Sequence, residues 1–250
     1  MQPRPRPAPD FAAVRAEFAL PDAFPAAVLA EAARAAAVRP GPGRGRRDAT
    51  DVELVTIDPP GSKDLDQAVG VVRRGSGFRV HYAIADVGAV VVPEGDLDAE
   101  VRRRGQTVYL PDGSVPLHPP VLSEDAASLL PDGPRAAVLW TLDLDDAGEQ
   151  VGFAVERAVV RSRARLDYAG VQADVDAGRV HPALAALPEL GPLRRAQAVR
   201  RGAIELELPE QEVVPDGSGG WTVRVRRRLD VESWNAEISL LTGMAAARLM

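Results

Sequence analysis

Three aspartates set close together offer the clearest chemistry in this sequence: Asp58, Asp64 and Asp66, in Thr56-Ile-Asp-Pro-Pro-Gly-Ser-Lys-Asp-Leu-Asp-Gln-Ala-Val69. An apolar, strand-like run delivers Asp58 at its end, and Pro59, Pro60 and Gly61 then break it. Asp64 and Asp66 follow two apart, a spacing that puts both side chains on one face of an extended segment. The intervening loop is long enough for Asp58 to meet them from the other side. Carboxylates brought together repel unless a cation neutralises them. Oxygen-only ligands of this kind suit Mg²⁺ or Mn²⁺, completed by water and a substrate phosphate. Spacing alone leaves a second reading open, an acidic turn whose side chains cap backbone amides. The EF-hand pattern is absent.

A second Asp-x-Asp lies in Leu139-Trp-Thr-Leu-Asp-Leu-Asp-Asp-Ala147. It is similar to the nucleophile motif of haloacid-dehalogenase-type phosphatases, with Asp143 as nucleophile and Asp145 as acid/base. Ala147 departs from that motif, and Asp145-Asp-Ala-Gly148 makes a good hairpin turn, so strand plus turn is the stronger reading. Cysteine is absent, which excludes disulfides, thiolate nucleophiles and Cys-based metal sites. The three histidines, His81, His118 and His181, are far apart, and His118 beside Pro119 and Pro120 reads as loop packing. Asp86, at a strand end, reads as a structural hydrogen-bond acceptor.

The chain has 250 residues, a hydrophobic fraction of 46% and a formal net charge of −6. That composition is globular, and no apolar run approaches the roughly 18 residues of a membrane span. No secretory signal opens the sequence, and a cytoplasmic location is expected. Lys63 is the only lysine; the remaining basic residues are arginines, clustered at Arg44/Arg46/Arg47, Arg102–Arg104, Arg157/Arg161/Arg163/Arg165, Arg194/Arg195/Arg200/Arg201 and Arg224/Arg226–Arg228. Arginine forks suit phosphate. An acidic total is compatible with a local basic channel, although clustered arginines also serve as solvated faces.

The elements that must position the aspartates can be read from period and punctuation. Residues 1–9 read as a disordered Pro/Arg tail and 10–47 as a helical lead-in with a Gly/Pro/Arg linker. Asp10 caps a helix through Ala19, and a second, Ala-rich helix runs to about Val38. From Asp51 the period becomes two. Strands are predicted over Val52–Ile57, Ala68–Arg73, Phe78–Ala85, Thr107–Leu110, Val138–Asp143, Val151–Val160, Ile204–Leu208 and Trp221–Arg227. Helices are predicted near Tyr168–Ala177, Leu193–Gly202 and Val231–Met250. Without regular βαβ alternation the fold class is α+β, a mixed or antiparallel sheet with packed helices. The last helix has no stop signal, so the chain is expected to break off inside a domain.

The aspartate segment, with several others in the same order, resembles the ribonuclease II / ribonuclease R (RNB) superfamily. The others are His81-Tyr-Ala-Ile-Ala-Asp-Val-Gly88, Arg104-Gly-Gln-Thr-Val-Tyr-Leu-Pro111, Pro116-Leu-His-Pro-Pro-Val-Leu-Ser-Glu124 and Ala127-Ser-Leu-Leu-Pro131. Leu20-Pro-Asp-Ala-Phe-Pro-Ala-Ala-Val-Leu29 resembles the segment leading into that domain. The resemblance implies an RNB-like catalytic domain over 48–250, incomplete at its C-terminus. It implies a 3′–5′ exoribonuclease that degrades single-stranded RNA to nucleoside 5′-monophosphates with two Mg²⁺ (or Mn²⁺) ions. Asp58, Asp64 and Asp66 match signature aspartates that hold metal. Asp64 and Asp66 are implied as catalytic, Asp66 most closely tied to cleavage. Tyr109 matches an aromatic that stacks on a base near the RNA 3′ end.

Gln67 stands where the commonest signature has a fourth aspartate; its carbonyl can ligate metal without supplying charge. The family's flanking oligonucleotide-binding barrels do not occur in this sequence, nor does its later Ser/Thr-Pro-x-Arg-Arg segment. A catalytically impaired, RNA-binding relative is therefore the alternative expectation, and activity of this stretch alone is not implied.

Overall fold

The computed structural model describes residues 10–38, 41–43, 45–204 and 208–250. The tail expected over 1–9 and part of the expected linker lie outside them. In chain order the elements are α1 (Phe11–Glu17), α2 (Ala26–Ala36), β1 (Arg47–Asp58), β2 (Gln67–Arg74), β3 (Gly77–Ala85), α3 (Asp96–Arg104), β4 (Val108–Leu110), β5 (Gly113–Val115), β6 (Arg135–Leu144), β7 (Gln150–Asp167), α4 (Tyr168–Asp176), α5 (Leu187–Arg200), β8 (Glu210–Pro215), β9 (Trp221–Arg226) and α6 (Asp230–Ala247).

Five strands close into a barrel in the order β1-β2-β3-β6-β7. Neighbours are antiparallel except at the seam, where β1 and β7 run parallel and bring Asp58 opposite Asp167. The β2–β3 hairpin turns through Gly75, whose φ of 60° favours glycine. Between β6 and β7, the Asp145 side chain accepts from the Ala147 and Glu149 amides at 3.0 and 2.8 Å. A small barrel has room inside only for modest side chains. Its interior is accordingly Ala-rich: Ala49, Leu54, Ala68, Ala83, Ala137, Leu139, Ala158 and Val160, closed at one end by Leu65 and Leu129.

The outer face carries the larger residues Val55, Ile57, Val71, Phe78, Tyr82, Trp140 and Leu142, covered by α4, α5 and α6 through Val171, Leu187, Leu190, Trp234, Ile238 and Leu241. Helices α5 and α6 approach closely at Gly191, where a Cβ would lie 2.2 Å from the Trp234 ring. A third cluster packs α2 against α3 and the turn at Leu122, through Val28, Ala32 and Leu97.

The α+β class with a mixed sheet is as expected; closure into a barrel was not foreseen. Helix α3 was also missed, because its charged sequence buries only Leu97 and Glu100. The strand expected at Ile204–Leu208 is not formed at Ile204 or Leu208, and 205–207 lie outside the described residues. The strand instead spans Glu210–Pro215, since pairing Pro215 with Trp221 puts it directly beside the Asp216 turn. Helix α6 ends at Ala247, short of the expected Met250.

Candidate active site

β1 ends at Asp58, and Pro59 and Pro60 then turn the chain, with the Ser62 amide donating to the Pro59 carbonyl at 3.2 Å. The returning segment is extended and anchored at Leu65, which is fully buried in the barrel end. With Leu65 pointing in, Asp64 and Asp66 point out together. Two long-range bonds hold that alternation. The Leu65 amide donates to Ser128 Oγ at 3.1 Å, and the Ser128 hydroxyl donates to the Lys63 carbonyl at 2.5 Å. The Leu129 amide closes the clamp on the Leu65 carbonyl at 2.8 Å. Ser128 is itself held by Arg135, a buried arginine whose Nε donates to the Ser128 carbonyl at 2.8 Å. On the far side the Ala85 amide donates to the Asp66 carbonyl at 2.9 Å.

Asp58, Asp64 and Asp66 line one cleft of about 840 Å³, walled by Val87, Val90, Leu117, Leu122 and His118. Partial burial pushes the Asp58 carboxyl up to about 6, reinforced by the charges of Asp66 and Asp64. The cleft walls also raise Asp66, helped by Asp64 and opposed by a hydrogen bond from Gln67. Asp58 and Asp66 therefore resist ionising in this cleft, the electrostatic condition a cation relieves. Tyr109, in the β4–β5 hairpin, reaches over this group. Its ring is 70% exposed, and its hydroxyl donates to Asp64 Oδ2 at 2.6 Å. That bond holds the phenol proton and raises Tyr109 to about 12.

The structure thus brings together Asp58, Asp64, Asp66 and Tyr109. Gln67 sits at the edge of this group, outside the main cleft: its side chain bonds Asp66, its carbonyl oxygen accepts from the Tyr82 hydroxyl, and it shares a small pocket with Asp58, Tyr168 and Asn235. Among the described residues, no group of three or more His, Cys, Asp or Glu side chains is gathered closely enough to hold a metal ion as it stands. The donor set still fits a hard divalent cation, because Mg²⁺ commonly takes one or two carboxylates and completes its shell with water and phosphate.

The phosphatase alternative is overturned. Asp143 is held by Arg79 at 2.7 and 2.8 Å and by Arg74 at 2.8 Å, at the opposite end of the barrel from Asp58, and Asp145 caps its own turn. Among the described residues no arginine lines the carboxylate cleft, where Lys63 is the cation. Many are used in ion pairs: Arg46 and Arg157 on buried Asp86, Arg103 and Arg104 on Glu100, and Arg226 on Glu210, Glu212 and Glu232. Asp86 is the structural acceptor expected.

Sequence reading missed Ser128 and Arg135, whose roles depend on partners remote in the chain. It also placed His118 outside the site. The imidazole lines the cleft with Nε2 buried and unpartnered, and burial lowers its pKa.

Known proteins are similar to this chain in sequence and in fold. Ribonuclease R of Acidithiobacillus ferrooxidans is 37% identical over 198 residues, covering 75% of this chain and 45% of that protein. Ribonuclease R of Escherichia coli (strain K12) is 33% identical over 216 residues, covering 82% of this chain and 27% of that protein. The chain therefore spans less than half the length of these curated relatives. The structure of Mycoplasma genitalium RNase R in complex with ribose methylated single-stranded RNA matches with a TM-score of 0.82 and 26% identity, covering 91% of this chain and 37% of that one. The same enzyme is also solved in complex with double-stranded RNA. A family model described as the RNB domain matches residues 46–250, which include every barrel strand and exclude the lead-in helices α1 and α2, and the chain belongs to that family.

Proposed function

We propose that residues 48–250 form the catalytic portion of a 3′–5′ exoribonuclease that hydrolyses single-stranded RNA to nucleoside 5′-monophosphates, acting in the cytoplasm. The observation that carries this reading is the shared cleft of Asp58, Asp64 and Asp66 with Tyr109 above it. Among the described residues no helix is long and apolar enough to cross a membrane.

In this reading Asp58, Asp64 and Asp66 hold Mg²⁺ (or Mn²⁺), and Gln67 contributes only if its carbonyl leaves Tyr82. Bound divalent metal would activate water and stabilise charge on the phosphate. Asp66, whose proton affinity is raised, orients the attacking water by accepting its hydrogen bond. Water adds to the terminal phosphate, the bond to the 3′ oxygen breaks, and the shortened RNA keeps a 3′ hydroxyl. Tyr109 stacks on a base near the 3′ end, an interaction worth about 1–3 kcal/mol and indifferent to sequence.

End-labelled single-stranded RNA incubated with and without Mg²⁺ tests the reading. Metal-dependent release of mononucleotides is expected, and Asp66→Asn abolishes it. A specific observation favours the second reading, a catalytically impaired RNA-binding relative: the uncharged Gln67 has its carbonyl oxygen engaged by the Tyr82 hydroxyl. That reading predicts RNA binding with no mononucleotide release.

A further inference from the structure

The hairpin that carries Tyr109 has no core of its own. β4 and β5 are three residues each, and none of their side chains is buried. A two-stranded ribbon of that size is marginal in water by itself. It is held at three places. At its base, Arg104 donates to the Pro116 carbonyl at 3.1 Å and the Ala23 carbonyl at 2.7 Å, with its guanidinium 3.7 Å from the centre of the Phe24 ring. Along one strand, Tyr109 donates to Asp64. At its tip, Asp112 receives a two-pronged bond from Arg15 of α1, both contacts at 2.9 Å.

Helix α1 buries no residue, so core packing does not explain its place. Among the described residues its side-chain attachments include the Arg15–Asp112 pair and the edge-on contact of Phe11 with Trp221 in β9, ring centres 5.0 Å apart. It also lies outside the residues matched by the family model. A cation on Asp64 would draw electron density from Oδ2 and weaken its bond from the Tyr109 hydroxyl. The base then fixes where the hairpin leaves the domain, and the tip restrains how far it swings.

We propose that Arg15 and Asp112 form a tether that positions Tyr109 over the carboxylates, setting the register in which the last nucleotide is presented. Arg15 is a positioning residue: it touches neither RNA nor metal. The inference rests on Tyr109 being a stacking platform, as proposed above.

Arg15→Ala, Asp112→Ala and the exchanged pair Arg15→Asp with Asp112→Arg are compared with the unaltered chain in two assays. Hydrogen exchange at the amides of residues 108–115 follows the hairpin without RNA. An RNA oligomer with 2-aminopurine as its 3′-terminal base, in Ca²⁺, reports stacking by quenching, while a 5′ dye reports overall binding by anisotropy. Each single variant is expected to speed exchange about two- to fivefold, the range of an exposed ion pair. Each also weakens the terminal quench while overall affinity stays within about twofold, and the exchanged pair restores both signals. Unchanged exchange in the single variants, or no restoration by the exchanged pair, overturns the tether. If exchange responds as expected but Tyr109→Ala quenches like the unaltered chain, the stacking role falls and the tether stands.

Discussion

Each carboxylate in the cleft is governed by its immediate neighbours. Asp66 keeps open surface toward the cleft; its backbone carbonyl accepts from the Ala85 amide, and among the described residues its side chain is bonded only locally, by the neighbouring Gln67. Asp66→Asn is therefore expected to leave stability nearly unchanged and RNA affinity intact. It should lower hydrolysis by ~10²-fold or more, the scale seen when an electrostatic partner of the reacting group is lost. Parallel turnover and filter-binding measurements check this, and retained turnover would remove Asp66 from the mechanism. Ser128 is the opposite case. The residue is 2% exposed, and its hydroxyl accepts from the Leu65 amide and donates to the Lys63 carbonyl, so Ser128→Ala strands a buried amide and a part-buried carbonyl. A loss of about 1–3 kcal/mol is expected in urea melts, with the midpoint lowered and the slope unchanged.

Between residue and molecule stands the loop that turns β1 into β2. Leu65 is its only fully buried side chain, and its burial keeps Asp64 and Asp66 on the open face. Leu65→Ala leaves a hole at the barrel end and is expected to cost about 2–5 kcal/mol in a thermal or chemical melt. A loss below about 1 kcal/mol would show that the loop collapses to fill the gap. This local logic was legible in the sequence: a strand end, a proline break and an alternating Asp-Leu-Asp need no distant partner. Ser128 was not legible, because it reaches Leu65 across 63 positions, and a serine between alanine and leucine carries no signal of that reach. Barrel closure was hidden for the same reason. The β1–β7 seam is parallel and joins the first and last barrel strands, whereas period-two patterning reports only which face each residue takes. Tyr109 could be matched to a stacking aromatic by its motif, yet its bond to Asp64 depends on how the β4–β5 hairpin folds back.

For the whole chain, the cleft makes stability depend on pH and on divalent metal together. With Asp58 raised to about 6 in the fold and near 4 when unfolded, the folded state binds the extra proton between those values. Stability of the metal-free protein is therefore expected to fall as pH rises from about 4 to about 6, and to level off beyond. Below pH 4 both states are protonated at this position, and the contribution is fully present. Asp58→Asn removes the Asp58 share of that slope, because the amide does not titrate, and leaves the share of Asp66, which is raised in the same direction. Mg²⁺ should act most strongly above pH 6, where the carboxylates are charged and their repulsion is greatest. At tenfold over its dissociation constant a ligand specific for the fold adds ~1.4 kcal/mol, roughly 3–6 °C in Tm for a chain of this size. EDTA should reverse the gain, and the shift should shrink toward pH 4 as protons compete with the cation. Thermal melts across this pH range, with and without Mg²⁺, measure all of these effects. A Mg²⁺ shift independent of pH, or one that survives in Asp58→Asn combined with Asp66→Asn, would place the cation somewhere other than this cleft.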